Sequence, residues 1–370
     1  MKKKKEGQEK ETSGSGKHHS KEQKGCKEKG IKYKKWIFWT LIAVIVFNIT
    51  FYGYILLSPG EDGKEKDSEN RESLTIGIEE CTAPALLWIA EEKGYFEKEG
   101  LEIRLKRYKS DSQAMQAMID KRIDLCVVSD AVFMAESLKR YDIRILSTVA
   151  STDDGLFLLA RKDRGIHDPS HLAGKRIGVQ KDSSAHFFMD MFMMHNKVSR
   201  SDVEIVYMPD AQLVEALSTG NVSAGSVRHP FVSDAEEALG ENLVKLYAPG
   251  IYTNTLNLVG WERMTENDPE TIRGLLRALL KAEDIIRKDR EEAFMTVSQQ
   301  LEGNSISREF WENTDFEVSL KQSLLVALEE EARWAIHYNL TQADEVPNYL
   351  EYIYFNALED VEPARITIIH

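Results

Sequence analysis

The sequence predicts an α/β protein with two lobes behind one transmembrane helix, and three observations carry that expectation. Residues 36–57 run through 22 positions without a charge. From Leu74 onward, short β-type runs alternate with helical ones, the order expected of open parallel sheets with helices on both faces. A second unit of the same kind then follows, and after it the pattern is almost wholly helical. The chain has 370 residues, enough for two compact units of ~100–200 residues with length to spare. Three cysteines exclude a disulfide-stapled scaffold and a four-cysteine zinc site.

Charge is placed unevenly. Residues 1–35 hold 13 Lys and five Glu, while residues 58–73 hold six acidic groups against three basic ones. Setting aside +8 for the first stretch and -3 for the second, the formal charge of -13 leaves -18 from Leu74 onward. So acidic a body has no general attraction to phosphate backbones, and no nucleic-acid partner is expected.

The apolar run at 36–57 spans about 33 Å as a helix, enough to cross a hydrocarbon core of ~30 Å. Trp36, Trp39, Tyr52 and Tyr54 lie towards its ends, where amphipathic rings favour the interface. It exceeds the ~7–15 apolar residues of a cleaved signal and lacks an A-x-A-like exit, so a retained anchor in the lipid bilayer is expected. The lysines before it place the N-terminus in the cytoplasm and the body outside the cytoplasmic membrane, as a single-pass protein. Residues 1–35 then form a disordered Lys-rich cytoplasmic tail, 58–73 an acidic flexible linker, and 74–370 the extracytoplasmic domain.

Within that domain the elements follow in order. Leu74–Ile78 is a short β-run, and Ala85–Lys93 a helix that Gly94 ends. Leu101–Leu105 alternates apolar and charged residues, as a half-buried strand does. Ser110–Lys121 reads as a helix capped by Ser110 or Asp111. The run 124–128 reads as a buried central strand, followed by a helix at 131–140 and a strand at 144–149. The second unit places strands at 172–179, 203–207, 223–228 and 243–247, with helices between them. Helical spacing then returns at 269–287, 291–301, 320–338 and 346–358. Lobe one is expected to comprise 74–155 and 255–370, and lobe two 160–250, with 154–161 and 252–261 as crossovers. Loops at the carboxyl ends of the strands would face one cleft, where ligands of open α/β sheets bind.

Four segments in order, TAPALLWIAEEKGYFEKEGLEIRL, AMIDKRIDLCVVSD, LAGKRIGVQKDSSAHFFMD and EALSTGNVSAG, resemble the substrate-binding proteins of ABC importers. The resemblance is to those for nitrate, sulfonate or taurine, bicarbonate and thiamine-pyrimidine precursors, and it runs from Leu74 to Ile369. It implies a two-lobe periplasmic-binding-protein type II-like fold that closes on a small solute and hands it to an ABC permease and ATPase. In that role Thr82 and Ala83 let a ligand approach the first helix's N-terminus, whose free N–H groups favour negative charge. Ser129 and Asp130 would form the second contact loop. Ser183 and Ser184, beside Gln180 and Lys181, would present hydroxyls from lobe two. Arg228 and His229 stand where the family often has an aromatic residue and a carboxylate. Arg228 suits a carboxylate, sulfonate or phosphate, whereas Glu79 and Glu80 suit an amine or amidine. Arg228 is expected to face one of these two glutamates across the cleft, and its loss to reduce affinity with little effect on folding.

Two other function classes compete. A thiamine-pyrimidine biosynthesis enzyme would need a Cys-rich segment that the sequence lacks, and no H-E-x-x-H, nucleophile elbow or Gly-rich phosphate loop is present. No catalytic residue, cofactor or metal is therefore expected. An anchored sensory or scaffold module would need an output element, and the expected cytoplasmic part is 35 low-complexity residues.

Overall fold

The computed structural model describes residues 73–248, 250–302 and 306–370. The expected tail and anchor, and the expected linker up to residue 72, lie outside the described residues. Among the described residues, no helix is long and apolar enough to cross a membrane.

The first lobe begins with β1 (Ser73–Glu79), α1 (Ala85–Glu92), α2 (Tyr95–Lys98) and β2 (Glu102–Tyr108). It continues through α3 (Asp111–Ile119), β3 (Leu125–Ser129), α4 (Asp130–Ser137) and β4 (Ile143–Thr152). The second holds β5 (Leu156–Arg161), β6 (Arg176–Val179), α5 (Ser184–His195), β7 (Glu204–Tyr207), α6 (Asp210–Thr219), β8 (Ala224–Arg228), α7 (Phe231–Leu239) and β9 (Leu243–Leu246). The chain then returns through β10 (Asn254–Trp261), α8 (Glu262–Asn267), α9 (Pro269–Lys288), α10 (Arg290–Gln300), α11 (Arg308–Glu312), α12 (Gln322–His337) and α13 (Asn356–Val361).

Each lobe is built on a five-stranded sheet, ordered β2-β1-β3-β10-β4 in one and β7-β6-β8-β5-β9 in the other. The burial of these strands follows their composition. β3 is apolar apart from its terminal Ser129 and fully buried, whereas β2 alternates charged and apolar residues at the sheet edge and is half-buried. Small residues admit a helix closely: a Cβ at Gly178 of β6 or Gly225 of β8 would collide with Leu213, through which α6 lies on the sheet. On α9, Ile272, Leu275, Leu276, Leu279, Ala282 and Ile286 recur at helical spacing and are buried, and the helix packs on α1 and α13.

The structure corrects three expectations. The sheets are mixed, not parallel: β10 runs antiparallel to β3 and β4, and β5 antiparallel to β8 and β9. Residues 156–161 and 254–261 are these strands, so the crossovers shrink to 153–155 and 247–253. A strand arriving from the other lobe enters its sheet from the opposite end, which alternation of elements along the chain does not reveal. Finally, 346–358 is not one helix. Asn348 caps a single 3-10 turn, Ile353 pairs with Ile145 at the edge of β4, and only Asn356–Val361 is α-helical.

Candidate functional site

Between the lobes lies a pocket of about 610 Å³, counting its open mouth. Lobe one supplies Glu79 at the end of β1, Cys81, Thr82 and Ala83 from the next loop, Asp111 at the start of α3 and Ser129 at the end of β3. Lobe two supplies Ser183 and Ser184 before and at the start of α5, and Arg228, His229 and Pro230 after β8. Gly155, Asn254 and Leu256 line it near the crossovers, and Ser307 and Phe310 close it from the C-terminal helices.

Arg228 joins the lobes. Its Nη2 and Nη1 donate to the two carboxylate oxygens of Glu79 at 2.8 and 3.1 Å, and its Nε donates to Asp210 at 2.8 Å. Such a two-pronged pair is the geometry that a guanidinium fits best. Burial opposes the Arg228 charge, but Glu79, Asp210 and Asp111 overcome this and hold it protonated well above its ordinary range. Glu79 is nevertheless pushed up to about 7, by burial first and then by Asp111 and Asp210, against the attraction of Arg228. One guanidinium does not neutralise three carboxylates.

The other polar groups are variously committed. Asp111 accepts hydrogen bonds from the Ser129 hydroxyl at 2.7 Å and the Ser129 amide at 3.2 Å, which ties α3 to the end of β3. Ser183 caps α5 by accepting from the His186 amide, and its hydroxyl donates to the Gln180 carbonyl at 2.7 Å. His229 is 7% exposed, packed edge-on against Phe157 and tilted against Phe310, and neither ring nitrogen meets a partner among the described residues. Burial, then Lys245, lowers its pKa to about 4, so the ring is neutral with one donor and one acceptor at the pocket. Cys81 lines the wall, but burial and then the Glu79 charge push its thiol up, so it is a poor thiolate nucleophile.

The structure thus brings Glu79, Thr82, Ala83, Ser129, Ser183, Ser184, Arg228 and His229 to one pocket. It separates two other expected residues from it. Glu80 points away, half-exposed, to Arg107 at 3.1 Å, because adjacent residues beyond a strand face opposite ways. Asp130 is fully buried beneath the pocket, where it accepts from Thr255 at 3.0 Å and from the Tyr252 phenol. Gln180 and Lys181 lie on the outer groove on the far side of the Glu79–Arg228 bridge. Sequence reasoning missed Asp111 and Asp210. Each begins a helix, where a carboxylate reads as a favourable helix-terminus charge, and no local signal distinguishes that role from Asp111's place in the pocket wall or Asp210's in the outer groove, where it holds Arg228.

Residues 82–293 match the NMT1/THI5-like family model. A protein of Bacillus subtilis (strain 168) named as an aliphatic sulfonates-binding protein is 26% identical over 235 residues, 60% of this chain and 68% of that one. A protein of Brucella abortus (strain 2308) named as a binding protein is 20% identical over 200 residues, 53% of this chain and 61% of its own length. Among solved structures, the periplasmic aliphatic sulphonate binding protein SsuA of Escherichia coli superposes with a TM-score of 0.64 at 17% identity, covering 78% of this chain and 99% of that one. The desulfurization enzyme DSZB superposes with a TM-score of 0.56 at 16% identity, covering 80% of this chain and 99% of that one. At such identities these superpositions show the fold, a two-sheet α/β architecture of periplasmic-binding-protein type. The named sequence relatives are binding proteins and not enzymes. The match of the family model over more than half of the chain, on this fold, shows that the chain belongs to the NMT1/THI5-like family.

Proposed function

We propose that this chain is a membrane-anchored, extracytoplasmic solute-binding protein that captures a small polar solute of the sulfonate, nitrate or pyrimidine-like kind between its lobes. It then delivers the solute to an ABC import permease. The observation that carries this reading is the pocket itself: loops from the carboxyl ends of strands in both sheets converge on it, and two short crossovers connect the lobes. The sulfonate-binding names among the relatives support the solute class, and the charge-free run at 36–57 after a Lys-rich stretch supports the anchor. An enzymatic reading has less support, since the named relatives are binding proteins and burial leaves the Cys81 thiol a poor nucleophile and His229 a weak base.

Protease added to intact protoplasts tests the topology. It is expected to release a soluble fragment beginning within residues 58–73, and a mature membrane-bound protein starting after Leu57 would sink the anchor. A thermal-shift screen of sulfonates, nitrate, bicarbonate and amino-pyrimidines tests the binding function.

A further inference from the structure

The charges of the cleft narrow the solute class. Resting on the binding-protein reading, we infer that the solute carries a cationic nitrogen group with N–H donors, an ammonium or amidinium, directed at Glu79 and Asp111, rather than a bare sulfonate or nitrate.

A sulfonate or nitrate offers only acceptors and negative charge, so it needs free donors and a positive field. The cleft keeps some donors but no positive field. Its guanidinium, Arg228, gives one N–H from each of Nη1 and Nη2 to Glu79 and Nε to Asp210, so its charge is already committed to two carboxylates. The Ser129 hydroxyl is given to Asp111 and the Ser183 hydroxyl to the Gln180 carbonyl. Against that one cation stand the carboxylates of Glu79, Asp111 and Asp210, all at least nine-tenths buried. An incoming anion would add a fourth negative group to three carboxylates and one guanidinium in the same low-dielectric space. An incoming cation adds the missing positive charge and leaves the Arg228 bridge in place.

His229 is the second, independent sign of a ligand. Its ring is buried at the pocket wall with both nitrogens unpartnered, and a buried polar group normally has a partner. A neutral imidazole presents one N–H and one lone pair. An N–H of the solute satisfies the lone pair, which a bare sulfonate or nitrate has no hydrogen to do. The ring thus marks an unfilled polar position at the pocket, its N–H open to an acceptor and its lone pair to a donor, and the excess of carboxylates sets the sign of the charge that the solute brings.

The test uses the full chain in detergent and five small probes: acetamidinium, ethylammonium, tetramethylammonium, ethanesulfonate and nitrate. Ligand-observed NMR, which reads millimolar affinities, ranks them. Acetamidinium and ethylammonium are expected to bind at least tenfold more tightly than ethanesulfonate and nitrate. Tetramethylammonium, a cation without donors, is expected to fall with the weak group. Glu79→Gln removes one carboxylate charge and loosens Arg228, so it is expected to reverse the order of acetamidinium and ethanesulfonate. Ethanesulfonate or nitrate binding to the wild-type protein as tightly as the nitrogen probes overturns this inference and leaves the binding-protein reading standing. Failure of all five probes overturns both. If Glu79→Gln does not fold, as a thermal melt would show, the wild-type ranking decides alone.

Discussion

At the scale of single residues, Arg228 is the side chain on which most depends. The sequence placed it at the end of a strand facing Glu79 or Glu80, and a solvent-facing cleft arginine should be dispensable for folding. Its surroundings argue otherwise. The side chain is 16% exposed and bridges two carboxylates that are more buried still. Removing one partner of such a pair strands the other, at a cost of about 3–5 kcal/mol. Arg228→Ala is thus expected to lower unfolding stability by about that much at pH 8, read by urea denaturation. The loss should shrink at pH 5. Glu79 has a folded pKa raised from 4.5 to about 7, so its folded form binds protons over a window in which the unfolded chain has released them. Stability linked to Glu79 is therefore full below about 4.5 and falls as pH rises to about 7. Without Arg228 the carboxylate is pushed higher still, which makes the deficit larger in alkali and smaller in acid. A deficit equal at both pH values would count against an uncompensated carboxylate as its source. Position along a strand was legible in the sequence, which put Glu79 and Arg228 at strand ends, whereas side-chain direction was not, so the sequence did not show that Glu80 turns to Arg107 or that Asp130 lies buried against Thr255.

The elements show a similar boundary between what is local and what is not. Strand and helix identities followed from periodicity in most places, because β3 is apolar and α9 carries one apolar face. Sheet order did not follow, because β5 and β10 pair with strands distant in the chain. One cluster at this scale links β10, α4 and α12. The Tyr252 phenol, in the second crossover, lies between Asp130 at the start of α4 and Glu331 on α12, at 2.9 Å from the latter. The Tyr252 hydroxyl faces both carboxylates, and burial first, then the Asp130 charge, pushes Glu331 well above its ordinary range. Glu331→Gln keeps a donor of the same shape and removes the titration. In the wild-type protein this group's stability contribution is full below the unfolded pKa of about 4.5 and declines as pH rises towards the raised folded value. The variant is accordingly expected to gain on wild type as pH rises from 5 to 8, measured by urea denaturation at each pH. A variant that instead loses ground to wild type as pH rises would mean that Glu331 is ionised in the folded protein.

For the whole molecule, the contacts between lobes set the terms on which a solute enters. Arg228 of lobe two holds Glu79 of lobe one, and on another face Trp334 of α12 donates to Asp190 of α5 at 2.8 Å. Phe187 of α5 packs edge-on against Tyr252 and Trp334 beside that second contact. One buried apolar cluster also runs from lobe one into Phe187, Phe188 and Phe192 of α5, so opening about the crossovers at 153–155 and 247–253 must part apolar packing as well as charged and hydrogen-bonded pairs. A solute that binds only the closed arrangement stabilises it by RT ln(1 + [L]/Kd), about 2.7 kcal/mol at a hundredfold excess over Kd. The same binding must shift the lobes towards closure, because a ligand moves a conformational equilibrium only through its different affinity for the two states. The expected result is a rise in thermal midpoint together with a smaller radius of gyration in X-ray scattering. Arg228→Ala, which removes one of the ties, should increase the radius of the free protein while leaving the solute able to reduce it. Stabilisation without compaction, in either protein, would mean that the lobes do not close on the solute. The cleft would then belong to a static binding scaffold rather than to a carrier that loads, closes and releases.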